Sequence, residues 1–439
     1  MRLKDNNLHP LSPEERENDL PNLKKISGKT IRCLLNENPG VLVFPQSFEK
    51  SEDALDENEI LRLTDENCHV RTGNVMGFIG IGETQLEISS RFESDCGNDF
   101  FLHYLLQKVF SLNLFSWNHK TSQSSALDLF ALLFPYFLKK ALQKGVYREY
   151  QTRERNDSNL RGNINFARHV RQNFPFAGKI AYRSREHDSE NALSLLIRHT
   201  IEFLRKNFIF SRLLHFDKGT EDAVKQIVAG TPNFNPAHKD RVIAKNLRPR
   251  VHPFFLEYEH LQKICLKILR YDSLKYGNAD EKISGILFDG AWLWEEYLAT
   301  LPALKNFTHP KNKLGENRIR FFVQGNQKHY YPDFYDENCV FDAKYKNKNS
   351  PSEDRNDLFQ IISYLHILKT SKGGFIVPAT EELHDIEKTC RELVGLGGEL
   401  VVLRLGIPQN TQTYGDFCLK ISDSENQLSL AINQFLESH

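Results

Sequence analysis

The chain has 439 residues with 57 Lys and Arg against 57 Asp and Glu, so its formal net charge is zero, and 40% of it is hydrophobic. At about 100–200 residues per domain, this length holds roughly two to four domains, and the composition excludes general disorder. Zero net charge also excludes nucleic-acid binding by bulk charge, so any such surface has to be a local patch. The longest apolar stretch, near Ala126–Leu138, contains Asp128 and Pro135. It falls short of the ~20 apolar residues that span a bilayer. The first 25 residues have no apolar core of a signal peptide. Seven scattered cysteines without a CxxC pair argue against a disulfide framework and a zinc ribbon. These features predict a soluble, cytoplasmic protein with no membrane partner.

Residues 1–28 are polar and Pro-containing and read as a flexible lead-in. From 29 to 98 short apolar runs (IRCLL, GVLVF, RTGNVMGFIGIGETQLEIS) alternate with Gly, Asn and Asp, which predicts a β-rich N-terminal domain. Residues 99–280 read as a mainly helical middle domain. Its apolar residues take helical spacing over Phe100–Phe115, Leu127–Lys144, Asn191–Leu214 and Glu257–Arg270. Pro135 is expected to start or kink its helix. A basic connection covers Tyr147–Arg171, and a Pro/Asn/His-rich loop is expected at 231–253. The last domain, 281–439, reads as helix 285–300, strands 318–324, 328–335 and 339–346, helix 354–369, strand 373–377, helix 381–394 and strand 399–405. The whole is an α+β multidomain chain with a C-terminal α/β domain.

Chemistry concentrates in YYPDFYDENCVFDAKYK, residues 330–346, where two β runs flank a turn at Asp336-Glu337-Asn338. Asp342 and Lys344 are two apart and share a face of their strand, and Asp333 arrives from the neighbouring strand. Two carboxylates and a lysine at one sheet edge suit a hard divalent ion such as Mg²⁺, which takes carboxylate oxygens and keeps waters. Asp and Lys two apart commonly form only a solvated edge. Here Val340, Phe341, Ala343 and Tyr345 make the strand a buried one, and buried charges require partners or a metal. In GILFDGAWLWEEYL the apolar stripe Leu287, Ala291, Trp294, Leu298 puts Glu295 on its flank and Glu296 on the opposite face. Gln360 and Tyr364, four apart, share a helical face that is either part of a site or a solvated edge.

Glu295 in a helix, then Pro332-Asp333, then Asp342-Ala343-Lys344 resembles the PD-(D/E)XK nuclease signature in its usual order. The wider chain resembles the McrC family, the nuclease subunits of McrBC-type restriction systems that act on 5-methylcytosine DNA. Gly73-Asn-Val-Met-Gly77 with Leu86-Glu-Ile88, Gly145-Val-Tyr-Arg-Glu-Tyr150 with Leu160-Arg161-Gly162-Asn-Ile164, Leu293-Trp294-Glu295, and Asp357-x-x-Gln360-x-x-x-Tyr364 carry that likeness. Ser89-Ser90-Arg91-Phe92 departs from the Pro-Lys-type pair expected there, so no partner-contact residue is transferred.

The resemblance implies a C-terminal restriction-endonuclease-like domain and a metal-dependent endodeoxyribonuclease in antiviral defence. Asp333 and Asp342 would be Mg²⁺ ligands, Glu295 a further ligand direct or through water, and Lys344 the residue that positions the attacking water. Gln360 and Tyr364 would support the site or touch DNA. Partners would be a hexameric AAA+ GTPase of the McrB type, docked at the N-terminal domain and stimulated, and double-stranded methylated DNA. GTP would belong to that partner. Ser27-Gly28-Lys29-Thr30 mimics the end of a phosphate-binding loop, but Leu23 stands where its first glycine belongs, so no nucleotide is expected on this chain. Asp342→Ala and Lys344→Ala are expected to remove cleavage and leave folding intact.

Two other classes fit the same residues. One is a catalytically silent adaptor that only stimulates the partner's NTPase; the other is a repair or RNA nuclease with the same core. Basic residues cluster at 144–171, 239–250 and 301–350 and suit phosphate contact or a solvated face. The sixteen histidines show no metal-binding spacing; His187 and His366 read as structural, and Trp292 and Trp294 as core.

Overall fold

One strand from some 200 residues further along the chain, Ile283–Asp289, lies inside a sheet otherwise built by the first 90 residues. The computed structural model describes residues 1–38, 41–45, 58–82, 84–93, 99–110, 126–215, 217–247, 255–274, 283–310, 319–324, 329–346, 354–380, 389–395 and 397–437. These fall into two compact units, one formed by 1–126 with 278–439 and the other by 127–277. Among the described residues no helix is long and apolar enough to cross a membrane.

In the first unit a five-stranded sheet runs Arg2–Lys4, Thr84–Ser89, Val75–Ile81, Ile283–Asp289, Val41–Phe44. Its apolar face gathers Leu3, Leu34, Val43, Ile60, Ile79, Leu86 and Leu287. The stretch from 285, expected to be helical, is therefore a strand up to Asp289, and the helix is only Gly290–Leu298. Consecutive apolar residues in ISGILF suit a central strand buried on both faces, and Asp289 caps the helix by accepting from Trp292 N at 2.9 Å. Gly77 is required here. Its φ is +134°, and a Cβ would stand 2.2 Å from the Ile286 carbonyl oxygen on the neighbouring strand.

Residues 1–28 are not a loose lead-in. Arg2–Lys4 pairs parallel with Glu87–Ser89, Leu8–Pro10 pairs with His69–Arg71, and Leu3, Leu11, Leu23 and Ile26 are buried. Their sparse apolar residues hid an edge strand whose partners lie some eighty residues away. IRCLL is likewise helical, Ile31–Glu37, because Thr30 caps it by accepting from Cys33 N. The Walker-like Thr30 is thus a helix cap.

A second five-stranded sheet in the same unit orders Phe334–Tyr335, Cys339–Ala343, Lys372–Ala379, Glu399–Gly406, Thr389–Glu392. The helix Arg355–Leu368 lays Ile361, Tyr364 and Leu365 on Val340, Phe375, Val377 and Val402. The expected strands 318–324 and 328–335 shrink to Ile319–Arg320 with His329–Tyr330, then Phe334–Tyr335. The helix expected at 381–394 lies mostly outside the described residues, and its end, Thr389–Glu392, is a strand. A closing helix, Tyr414–Glu437, was not foreseen; its buried Phe417, Ile421, Leu428, Ile432 and Phe435 recur at helical spacing.

The second unit holds the helices Ala126–Leu142, Ala192–Lys206, Lys218–Ala229 and Leu256–Leu274. Pro135 sits inside the first, against expectation. Burial of Phe130, Leu133, Phe134 and Leu138 offsets the backbone hydrogen bond that proline forfeits. The basic connection is a strand, Glu149–Asp157, paired antiparallel with Ile180–Asp188. The loop at 231–253 contains the helix Lys239–Lys245, and its last residues lie outside the described ones.

Asp99 ties the helix Phe100–Phe110 to the residue after the Thr84–Ser89 strand by accepting from Leu102 N and Ser90 N. Burial pushes its carboxyl up to about 7, the two backbone donors working the other way. The folded state therefore keeps a proton that the unfolded chain releases near 3.8, and this group's contribution falls as pH rises through about 7. We predict that the thermal midpoint of Asp99→Asn, relative to wild type, is more favourable at about pH 8 than at about pH 5.5. A pH-independent difference would refute it.

Candidate active site

The hairpin around the Asp336–Asn338 turn does the first part of the assembly. Asp336 Oδ1 accepts from the backbone N–H groups of Asn338 and Cys339, at 2.8 and 2.7 Å. Phe334 then pairs with Phe341 and Tyr335 with Val340, and the same register carried one residue further sets Asp333 opposite Asp342. Asp333 Oδ2 accepts from Ala343 N at 2.6 Å, which fixes that carboxylate against the neighbouring strand. Cys339–Ala343 is buried throughout, with parallel pairing to Lys372–Ala379 on its other side.

Asp342 is 2% exposed, so its charge needs compensation. Lys344 supplies it, with Nζ 2.8 Å from Asp342 Oδ2 and 3.3 Å from Asp357 Oδ1, donating also to Gln360 Oε1 at 2.8 Å. Gln360 Nε2 in turn donates to the Tyr364 hydroxyl at 3.0 Å. Five residues singled out from the sequence thus meet in two linked groups: Asp333 with Asp342, and Lys344 with Gln360 and Tyr364. Asp357, quoted in the helix motif without a role, is buried and bridges Lys344 and Lys346. Lys346 also reaches Asp354 at 3.1 Å. The two-residue period that joins Asp342 to Lys344 continues to Lys346, and that signal was available.

Charge and burial set the titration here. Burial, then the charge of Asp342, pushes Asp333 up to about 7. Burial raises Asp342 too, and Lys344 offsets this only in part. For Lys344 burial works against the charge, but Asp342, Asp357 and Asp333 outweigh it and raise the pKa. Lys344 is therefore an ammonium, a donor and an electrostatic group rather than a base.

The Gly290–Leu298 helix buries Leu293, Trp294, Tyr297 and Leu298, leaving both Glu295 and Glu296 half-buried. Glu296, assigned to the opposite face, also approaches the site. It accepts from Trp292 Nε1 at 3.2 Å and lies 3.9 Å from His309 Nε2. His309 Nδ1 donates to the Asp333 carbonyl at 2.7 Å, and its ring stacks on Phe334. Among the described residues no group of three or more His, Cys, Asp and Glu side chains is arranged to hold a metal ion. The pair Asp333 and Asp342 still fits a hard cation: two desolvated carboxylates that raise each other's proton affinity would lose that repulsion beside a divalent ion.

Charge elsewhere is more fully paired. In the 144–171 passage Lys144 pairs with Glu257, Arg153 with Asp188, Arg155 with Glu186 and Arg168 with Glu154. Lys311, Lys313, Arg318, Lys328 and Lys348 of the 301–350 cluster lie outside the described residues.

Residues 70–378 match the family described as McrBC 5-methylcytosine restriction system component, and the chain belongs to that family. No curated protein matches it. Among solved structures it is similar to a chain of the Thermococcus gammatolerans assembly of McrB AAA+ hexamers with bound McrC, at 14% identity and TM-score 0.49 over 99% of both chains. The Thermococcus gammatolerans McrBC complex solved by cryo-electron microscopy matches at 14% identity and TM-score 0.35, over 68% of this chain and 86% of that one.

The buried pair alters one expectation. Lys344→Ala leaves Asp342 without its cation, a loss of about 3 kcal/mol for a broken buried pair. We predict that this variant unfolds at lower temperature than wild type at about pH 8, and that the deficit narrows as pH is lowered and Asp342, its proton affinity raised by burial, takes up a proton. Asp342→Asn, which removes the charge itself, is expected to be closer to wild type in stability. Equal midpoints for Lys344→Ala and wild type across this pH range would contradict this.

Proposed function

We propose that this chain is the DNA-cutting subunit of a modification-dependent restriction system, a Mg²⁺-dependent endonuclease of the PD-(D/E)XK type acting on methylcytosine DNA. The observation that carries the reading is the meeting of Asp333, Asp342 and Lys344 across one hairpin, in a chain of the McrBC family. Asp333 and Asp342 would hold the ion, with Glu295 joining through water. When bound, Mg²⁺ supplies a water of lowered pKa and positive charge for the phosphate. Lys344, kept protonated, donates to the attacking water and to charge developing on the phosphate. Asp357 and Gln360 hold its amine in place, and Tyr364 orients Gln360. The C-terminal sheet and its helix are the parts expected of such a domain.

The partner in this reading is a hexameric AAA+ GTPase of the McrB type, which this chain stimulates and which binds the GTP and reads the modified base. Family membership supports the pairing.

The deciding experiment is cleavage of methylated plasmid with Mg²⁺, partner and GTP, comparing wild type with Asp342→Asn. Wild type is expected to linearise the plasmid, and Asp342→Asn to lose cutting by about a hundredfold or more while still accelerating GTP hydrolysis. If wild type accelerates GTP hydrolysis and never cuts modified DNA, the chain is an adaptor.

A further inference from the structure

Next to the site, one arginine from the N-terminal sheet gathers three distant parts of the chain. Arg91, in the run Ser89-Ser90-Arg91-Phe92, has a side chain 9% exposed, and it pairs with Asp5, whose side chain is fully buried. Its Nε donates to Asp5 Oδ2 at 2.9 Å, and Nη2 donates to both Asp5 and Asn74 Oδ1. Nη1 donates to the Tyr345 carbonyl at 3.2 Å, and the guanidinium lies 4.5 Å from the centre of the Tyr345 ring. Ser90 holds the other end of that side chain, with Oγ 2.9 Å from the Tyr345 hydroxyl. Tyr345 directly follows Lys344. The Asn74 carbonyl accepts from Gly290 N, at the start of the helix that carries Glu295 and Glu296. Gly290 has to be glycine, since a Cβ there would stand 2.9 Å from the Tyr345 ring.

We propose that Arg91 and Ser90 form a clamp on Tyr345, and that Arg91 is a positioning residue for the Lys344 amine. The clamp lies apart from the ion pair itself. Lys344 already has Asp342, Asp357 and Gln360 to hold its head, but those contacts leave the backbone at the end of the strand free to shift. Cys339–Ala343 is the stretch laddered to Lys372–Ile376, and just beyond it Lys344 N donates to Ile376 O at 3.0 Å. The next residue is fixed from the other sheet, by a buried guanidinium whose own position is set by Asp5. A guanidinium does this where an ammonium would not, because its separate N–H groups reach Asp5, Asn74 and the Tyr345 carbonyl together while it lies over the ring. The N-terminal segment and the strand bearing Asp342 and Lys344 thereby hold one another in register.

The activity arm of the test rests on the nuclease reading; the second arm does not. Full-length wild type, Arg91→Lys and Tyr345→Phe are compared in the partner-driven cleavage assay, and the same preparations are followed by amide hydrogen exchange. Tyr345→Phe keeps the ring and the Arg91–Asp5 pair and loses the hydroxyl's contacts with Ser90 and the Met76 sulfur. Turnover at saturating DNA is expected to fall about tenfold or more in at least one folded variant with KM unchanged, since small misplacements of a catalytic group are costly. Exchange at Lys344–Lys346 is expected to quicken while Lys372–Ala379 stays protected. Wild-type turnover in both variants, or a change in KM alone, overturns the proposal. Should Arg91→Lys not fold, Tyr345→Phe decides by itself. If wild type does not cut, the nuclease reading falls, and unchanged exchange at Lys344–Lys346 in the folded variants overturns the clamp.

Discussion

A charge buried in an interior strand of a sheet organises the C-terminal part of this protein. Asp342 is nearly inaccessible, and an uncompensated carboxylate there would be too costly for the fold to keep. Lys344 answers it from the same face of the strand. The lysine is itself surrounded by Asp357 and Gln360 from the helix that covers the sheet. Asp333 then adds a second carboxylate across the hairpin, which raises the electrostatic strain instead of relieving it. An arrangement that gathers like charges in a desolvated place is a poor device for stability and a good one for binding a cation.

The rest of the first unit keeps that arrangement rigid. Trp294 Nε1 donates to the Ile376 carbonyl, the same acceptor that receives Lys344 N. His309 holds the Asp333 carbonyl and stacks on Phe334, and Tyr345 is seated against Phe92 with their ring centres 5.2 Å apart. These contacts come from the helix after Asp289, the segment after Leu304 and the N-terminal sheet. The β-rich domain and the C-terminal domain read separately from the sequence therefore share one compact unit, joined by the strand Ile283–Asp289 that pairs with Val41–Phe44 and Val75–Ile81. The helical unit folds around its own polar anchors. Tyr258 accepts from Tyr147 N and donates to the Gly145 carbonyl, which gives the Gly-Val-Tyr passage a structural role.

Much of the site was legible in the chain because its signals are local. The D-x-K spacing, the turn residues after Tyr335 and the four-residue step from Gln360 to Tyr364 follow from strand and helix periods alone. Errors came where a period was ambiguous or the partner was remote. ISGILF reads equally as a buried helix or a buried strand, and its neighbours 200 residues upstream decided the matter. Arg2–Lys4 is too short and polar to announce itself as a strand. Glu296 and Glu295 differ by one helical step of about 100°, and the approach of Glu296 to His309, which holds the Asp333 carbonyl, is a tertiary contact that the helical period does not encode.

By itself, then, the sequence determined which polar side chains share the hairpin and the helix beside it, because turn residues, charge order and the strand and helix periods act over a few residues. It also determined the family, through motifs spread along the chain. Only the tertiary structure decided how those residues are compensated. Asp357 on Lys344, His309 on Asp333 and Arg91 on Tyr345 are contacts between elements separated by 13, 24 and 254 residues. Burial and electrostatic balance depend on what packs around a group in space, and no local pattern encodes that.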